Sequence, residues 1–357
     1  MFHHRARLRA SLGVLSAYAL VFEYAVYAAS RAFLWPPVFK HEAQLRLLLV
    51  AGPRLDARRG LLDLAAWDRE RFVRRTFADA LTHVSPHAVL FMGDVYRSRG
   101  QPDARMGLHF ADVFSLRRTS RGHEDAFELP GVLKVHVLPG ETDVGRDFGD
   151  PRTMAATRAF KAVFGNATAF RLKAKYDFYT ADLLSRESPE RNATAMLGTS
   201  PDGAVSVLLS HLPVLAMLSP RLNTTLARIQ PSVVFSAHER SSVLVRAHKS
   251  DLTDFSSVIN ADSENGGLER VILTDETYLE LVVPPCSYGA TLFPGYGVAV
   301  FSGDKLLDHG VLWTPMRTTH LWGYLLVLAY VGALLSFGCT TSATLGALLW
   351  RPRRHRL

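Results

Sequence analysis

Side chains able to hold a divalent cation stand at the ends of four short apolar runs in this chain. Asp94 follows 88–92, Glu141 follows 132–138, His211 follows 205–210 and His238 follows 232–236. Carboxylate oxygens and imidazole nitrogens are the donors such cations take. A fifth run, 45–51, ends instead in Gly52 and Arg54. Neither can bind a cation, because glycine has no side chain and arginine stays protonated. Any one of these residues alone would be an ordinary structural residue. Together they place polar groups at five strand ends, where ligands gather in open α/β sheets.

Such a set needs strands that bring their tips to one cleft. The runs at 45–51 and 88–92 are apolar and closed by Gly52-Pro53 and Gly93-Asp94, which predicts buried strands ending in turns. Between them, 67–81 carries Phe72, Phe77 and Leu81 among charges at helical spacing. A further helix is expected over 107–116 and a third strand over 132–138. Strand, helix, strand, helix, strand predicts crossovers and a largely parallel, buried sheet. Runs at 205–210, 232–236, 278–283 and 298–301 repeat the strand theme, whereas the polar stretch 142–200 yields no clear element.

The 357 residues are 48% hydrophobic and 21% charged, which excludes a disordered or collagen-like chain. Of the net charge of +8, seven units are terminal: Arg5, Arg7 and Arg9 at one end, Arg351, Arg353, Arg354 and Arg356 at the other. A nucleic-acid surface needs its basic residues on the folded part, so no nucleic-acid partner is expected. Cys286 and Cys339 are the only cysteines and build neither a disulfide framework nor a thiolate zinc site.

Residues 321–350 carry no charge, and as a helix they reach about 45 Å against a hydrocarbon core of about 30 Å. The first apolar run contains Glu23. By composition it is either a cleavable signal segment ending near Ala28-Ala29-Ser30 or an anchor. Both arginine clusters favour the cytoplasmic side. The expected organisation is a cytoplasmic tail (1–10), a transmembrane helix (11–33), a lumenal domain (36–319), a second transmembrane helix (321–350) and a cytoplasmic tail (351–357). Glycosylation sequons at Asn166, Asn192 and Asn223 all fall in the middle segment, in keeping with that double-pass topology.

In order and spacing the motifs resemble the calcineurin-like metallophosphoesterases, and within them the metallophosphoesterase 1 group. The resemblance rests on Phe22-Glu23-Tyr24 with Leu34-Trp35-Pro36, Trp67-Asp68-Arg69, Phe91-Met92-Gly93-Asp94-Val95 and Leu138-Pro139-Gly140. It continues through Leu209-Ser210-His211-Leu212-Pro213, Val234-Phe235-Ser236-Ala237-His238, Pro284-Pro285-Cys286-Ser287-Tyr288 and Pro294-Gly295-Tyr296-Gly297. It implies an α/β sandwich flanked by one transmembrane helix at each end, with the first segment retained. It also implies residence in the endoplasmic reticulum or Golgi membrane. The implied activity is removal of ethanolamine phosphate from glycosylphosphatidylinositol (GPI) anchors, with GPI glycolipid or GPI-anchored proteins as partners and manganese as the metal.

The resemblance also shows what is missing. Its two-ion chemistry uses cations about 3.5–4 Å apart, and Asp94 stands where one carboxylate bridges both. The positions for the first ion read Gly52, Arg54 and Arg240. Those for the second read Asp94, Glu141, His211 and His238, a set for at most one ion. The general-acid histidine is replaced by Thr142, which cannot donate a proton near neutral pH. Impaired or lost catalysis is therefore expected, the alternative being a single-metal phosphodiesterase. A bridging carboxylate without its ion is costly to bury, so Arg54 or Arg240 is expected to pair with Asp94 or to bind a phosphate.

Overall fold

The computed structural model describes residues 2–56, 63–97, 102–119, 126–145, 150–184, 197, 203–215, 220–252, 255–259 and 267–349. Two compact units emerge: Phe33–Thr314, and the two terminal helical segments. Cys339 lies on the last helix, and the sequon at Asn192 lies outside the described residues.

Within Phe33–Thr314 the chain runs β1 (Leu45–Val50), β2 (Ala88–Phe91), β3 (Arg117–Arg118), β4 (Phe127–Glu128) and β5 (Lys134–Val137). It continues with β6 (Ala169–Leu172), β7 (Tyr176–Ala181), β8 (Val205–Ser210), β9 (Val233–Ser236) and β10 (Val243–His248). The last strands are β11 (Phe255–Ile259), β12 (Glu269–Ile272), β13 (Thr277–Val282), β14 (Gly295–Ser302) and β15 (Leu306–Trp313). They form a sheet of order β12-β15-β14-β1-β2-β5, a second of order β11-β10-β13-β9-β8-β7-β6, and a small β3-β4 ribbon.

The expected parallel sheet is only partly present. β1, β2 and β5 are parallel neighbours, but β14 lies antiparallel on the other side of β1. The strands at 205–210 and 232–236 do not extend this sheet. They form the parallel centre of the second one, β13-β9-β8-β7, with antiparallel edges. The result is an α/β sandwich of two mixed sheets.

Alternation along β1 explains the layering. Leu45, Leu47 and Leu49 join Phe178, Phe235, Phe301 and Leu209 in the core between the sheets. Leu48 and Val50 are buried on the opposite face, as a strand covered on both sides requires. The helix Leu64–Val84 begins at Asp63, whose side chain accepts from the Ala66 N–H, and buries Phe72, Val73, Phe77, Ala80 and Val84 at three-to-four spacing. The helix expected over 107–116 is Ala104–Val113; Asp103 caps it earlier, and Ser115 at φ 55° closes it sooner. In the stretch without a sequence assignment, Asp150 caps the helix Pro151–Phe164, and Lys173-Ala174 turns β6 into β7. Phe110, Phe114, Phe127 and Phe164 pack edge-on or tilted as an aromatic layer against Phe91 of β2.

His136 on β5 is buried, with Nε2 3.0 Å from Thr180 Oγ1. Burial first, then the Lys134 charge, push its pKa from 6.5 down to about 3. A base depressed in the folded state stabilises above its unfolded pKa, and that contribution is lost as the pH falls. Urea midpoints of His136→Phe are therefore expected to fall less steeply between about pH 6.5 and pH 4 than those of the parent.

The terminal unit holds a helical segment Leu8–Leu34, long and apolar enough to cross a membrane, and the 33-residue helix Arg317–Leu349.

Candidate functional site at the strand tips

The tips of β1, β2, β5, β8 and β9 meet. After β1, the Gly52 N–H donates to Gly93 O and the Arg54 N–H to Asp94 O, both at 3.1 Å, which ties the first two tips together. Gly140 has to be glycine, because a Cβ there would overlap the Asp94 backbone nitrogen. A Cβ on Gly93 would lie 2.5 Å from His211 Nδ1, and its φ of +91° also favours glycine. This close approach of backbones gathers the polar side chains.

Asp94 is the hub. Its Oδ2 accepts from Arg54 Nη2 at 3.0 Å, and its Oδ1 accepts from the Thr142 N–H at 3.0 Å. Burial pushes this carboxyl up, but His211, the Thr142 N–H and Arg54 together outweigh that and hold it below its ordinary value. Arg54, not Arg240, takes the pairing role expected of these arginines. The Arg240 side chain is exposed, without an ion pair among the described residues, and its carbonyl accepts from Thr291 Oγ1. Thr142, at the general-acid position, donates its hydroxyl to Tyr96 O at 2.6 Å.

His211 is buried and donates from Nδ1 to Met92 O at 2.7 Å. That bond fixes Nδ1 as a donor and leaves Nε2 facing Asp94 Oδ1 at 3.5 Å. Burial lowers its pKa, opposed by Asp94 and the Met92 carbonyl. His238 stands edge-on to His211 at 5.6 Å between ring centroids, and its Nδ1 lies 3.9 Å from Glu141 Oε2.

The donor set can be tested against the metal implied by the resemblance. Among the described residues His211 Nε2 is buried without a hydrogen-bond partner, and a carbonyl bond on the other nitrogen is how metal-bound imidazoles are oriented. Against this, Asp94, Glu141, His211 and His238 stand as two pairs. Among the described residues no group of three or more His, Cys, Asp or Glu is placed to hold an ion. Gly52, Arg54 and Arg240 supply no donor, and a guanidinium occupies the free oxygen of Asp94. As placed, these residues do not fit a two-ion centre.

Two carboxylates escaped the sequence reading. Asp143 is buried and accepts from the N–H groups of Val95, Tyr96 and Gly140 at 2.8–3.1 Å, bracing the turns that carry Asp94 and Glu141. Burial, then the Asp94 charge, push its pKa up to about 7. Glu280 on β13 is fully buried and accepts from Val214 and Leu215 N–H at 2.7 and 2.8 Å, holding the loop after His211. A charge inside the apolar run 278–283 was the available signal for Glu280. The sequon asparagines Asn166 and Asn223 are both exposed, although Thr225 of the second sequon is buried.

No family model matches the chain, and no curated protein does. Among solved structures, a purple acid phosphatase from yellow lupin (Lupinus luteus) seeds is similar at TM-score 0.46 and 8% identity, over 78% of this chain and 52% of that one. The chain thus spans about half the length of that phosphatase. The anchor protein of the inner membrane complex of Plasmodium is similar at TM-score 0.36 and 11% identity, over 75% and 85% of the two chains. A Streptococcus pneumoniae protein described as a predicted phosphoesterase follows at 0.32 and 9%, over 76% and 92%.

Proposed function

We propose that this chain is a membrane-anchored, metallophosphoesterase-like protein of the secretory pathway in which two-ion hydrolysis has given way to binding. The observation that carries the proposal is the ion pair between Arg54 Nη2 and Asp94 Oδ2 at 3.0 Å, where a bridging carboxylate would otherwise hold cations. The missing general acid at Thr142 supports it. The ordered motifs support a GPI glycolipid or a GPI-anchored protein as the ligand. Arg54 keeps 30% of its side chain exposed, and Arg240 is exposed without an ion pair among the described residues, so guanidinium N–H groups remain to take a phosphate. Both termini cytoplasmic, the sandwich lumenal and residence in the endoplasmic reticulum or Golgi complete the proposal.

The test uses the full-length protein in detergent with a GPI glycan bearing ethanolamine phosphate. Binding without release of ethanolamine phosphate is expected, weakened about tenfold by Arg54→Ala, a loss on the order of 1.4 kcal/mol. A single-ion phosphodiesterase is the second reading, favoured by the orphaned His211 Nε2 beside Asp94. Release of ethanolamine phosphate in manganese, abolished by His211→Ala, would establish that reading and displace the first.

A further inference from the structure

Glu23 interrupts the apolar N-terminal segment, yet its carboxylate is enclosed. Its Oε1 accepts from Arg317 Nη1 at 2.5 Å and from the Tyr324 hydroxyl at 3.1 Å. Only 11% of the Glu23 side chain and 5% of the Arg317 side chain are exposed. The backbone around the carboxylate, Val21–Ala25, is π-helical, a distortion found mostly as single turns and frequently at functional positions.

The contacts continue along both helices. The Tyr18 hydroxyl donates to His320 O at 3.0 Å. The Tyr18 ring stacks on Phe22 at 4.3 Å and meets Tyr324 edge-on at 4.7 Å. Gly323 makes this possible, since a Cβ there would overlap the Tyr18 hydroxyl; small residues serve membrane helix pairs in this way. Glu23 meets Arg317 and Tyr324, whereas Tyr18, five residues earlier, meets His320, Gly323 and Tyr324, a shift toward the later residues of the second helix that marks an antiparallel pair. Ser11 and Val331 are buried further along the same two helices.

A lone carboxylate or guanidinium in hydrocarbon is costly, and such groups pair when they occur there. We infer that Glu23 and Arg317 form a charge clasp. It keeps the N-terminal helix as a permanent half of an antiparallel two-helix membrane unit whose outer ends share one side of the membrane. The inference rests on the membrane reading proposed above, and deepens it by naming the residues that hold the unit together.

The experiment uses the full-length chain with an N-terminal and a C-terminal tag, expressed in cells and extracted from membranes with carbonate. One carbonate-resistant species carrying both tags is expected. Glu23→Arg and Arg317→Glu are each expected to lower its amount at least tenfold, and the exchanged pair to restore at least half. Glu23→Gln with Arg317→Gln is expected to be tolerated better than either reversal alone, because removing both charges leaves neither stranded. Release by carbonate would overturn the inference together with the membrane reading. Retention in the membrane with loss of the N-terminal tag, or an exchanged pair no better than the single reversals, would overturn the clasp alone. Neither result bears on the ligand of the strand-tip site, which is read by its own binding assay.

Discussion

Asp143→Ala is expected to lower the unfolding free energy by about 3–6 kcal/mol. Three N–H groups from two buried turns, of Val95, Tyr96 and Gly140, lose the carboxylate they donate to, and each such loss costs roughly 1–3 kcal/mol. A domain with about 5–15 kcal/mol to lose would be left barely folded. Asp143→Asn keeps an acceptor but turns an amide N–H₂ toward donors, so about half that loss is expected. Urea unfolding of the two variants beside the parent checks this. A loss below about 1 kcal/mol for the alanine variant would show that the turn does not depend on the carboxylate.

Arg54→Ala should cost about 2–4 kcal/mol by the same measurement, because it strands the buried Asp94 carboxylate. The partial exposure of Arg54 places the effect at the lower end of what breaking a buried pair costs. A double-mutant cycle isolates the charge. In an Asp94→Asn background, which retains an acceptor for the Thr142 N–H, the same arginine change should cost less than about 1 kcal/mol. Equal losses in both backgrounds would mean that Arg54 acts through packing rather than through its charge.

Much of this site is legible in the sequence because buried parallel strands read as short apolar runs. β1, β2, β5, β8 and β9 lie within one or two residues of where those runs place them. The residue types after each run already name the chemistry. Charge compensation identifies a cation for Asp94, but choosing Arg54 over Arg240 takes the backbone. Arg54 N–H pairs with Asp94 O, whereas Arg240 follows a turn that leaves it in solvent.

Other features have no sequence signal of that kind. The β6–β7 hairpin turns on Lys173 and Ala174 at φ 47° and 55°, where Asn-Gly is the usual mark of such a turn. β15 is broken as a pattern by Asp308, His309 and Gly310, and its pairing with β14 on one side and β12 on the other makes it a strand. Asp143 serves through backbone N–H groups from two separate turns, which its residue type does not reveal. The mixed sheets likewise follow from long-range pairing: β14 reaches β1 across most of the chain.

The central claim is that a fixed guanidinium has taken the place of a cation on Asp94. Counting ions addresses it directly, by elemental analysis of the full-length protein after equilibration with excess manganese and removal of the unbound metal. No more than one ion per chain is expected, with the Arg54–Asp94 pair intact. Two ions per chain would contradict the account, since the second could be held only by displacing Arg54 from the carboxylate.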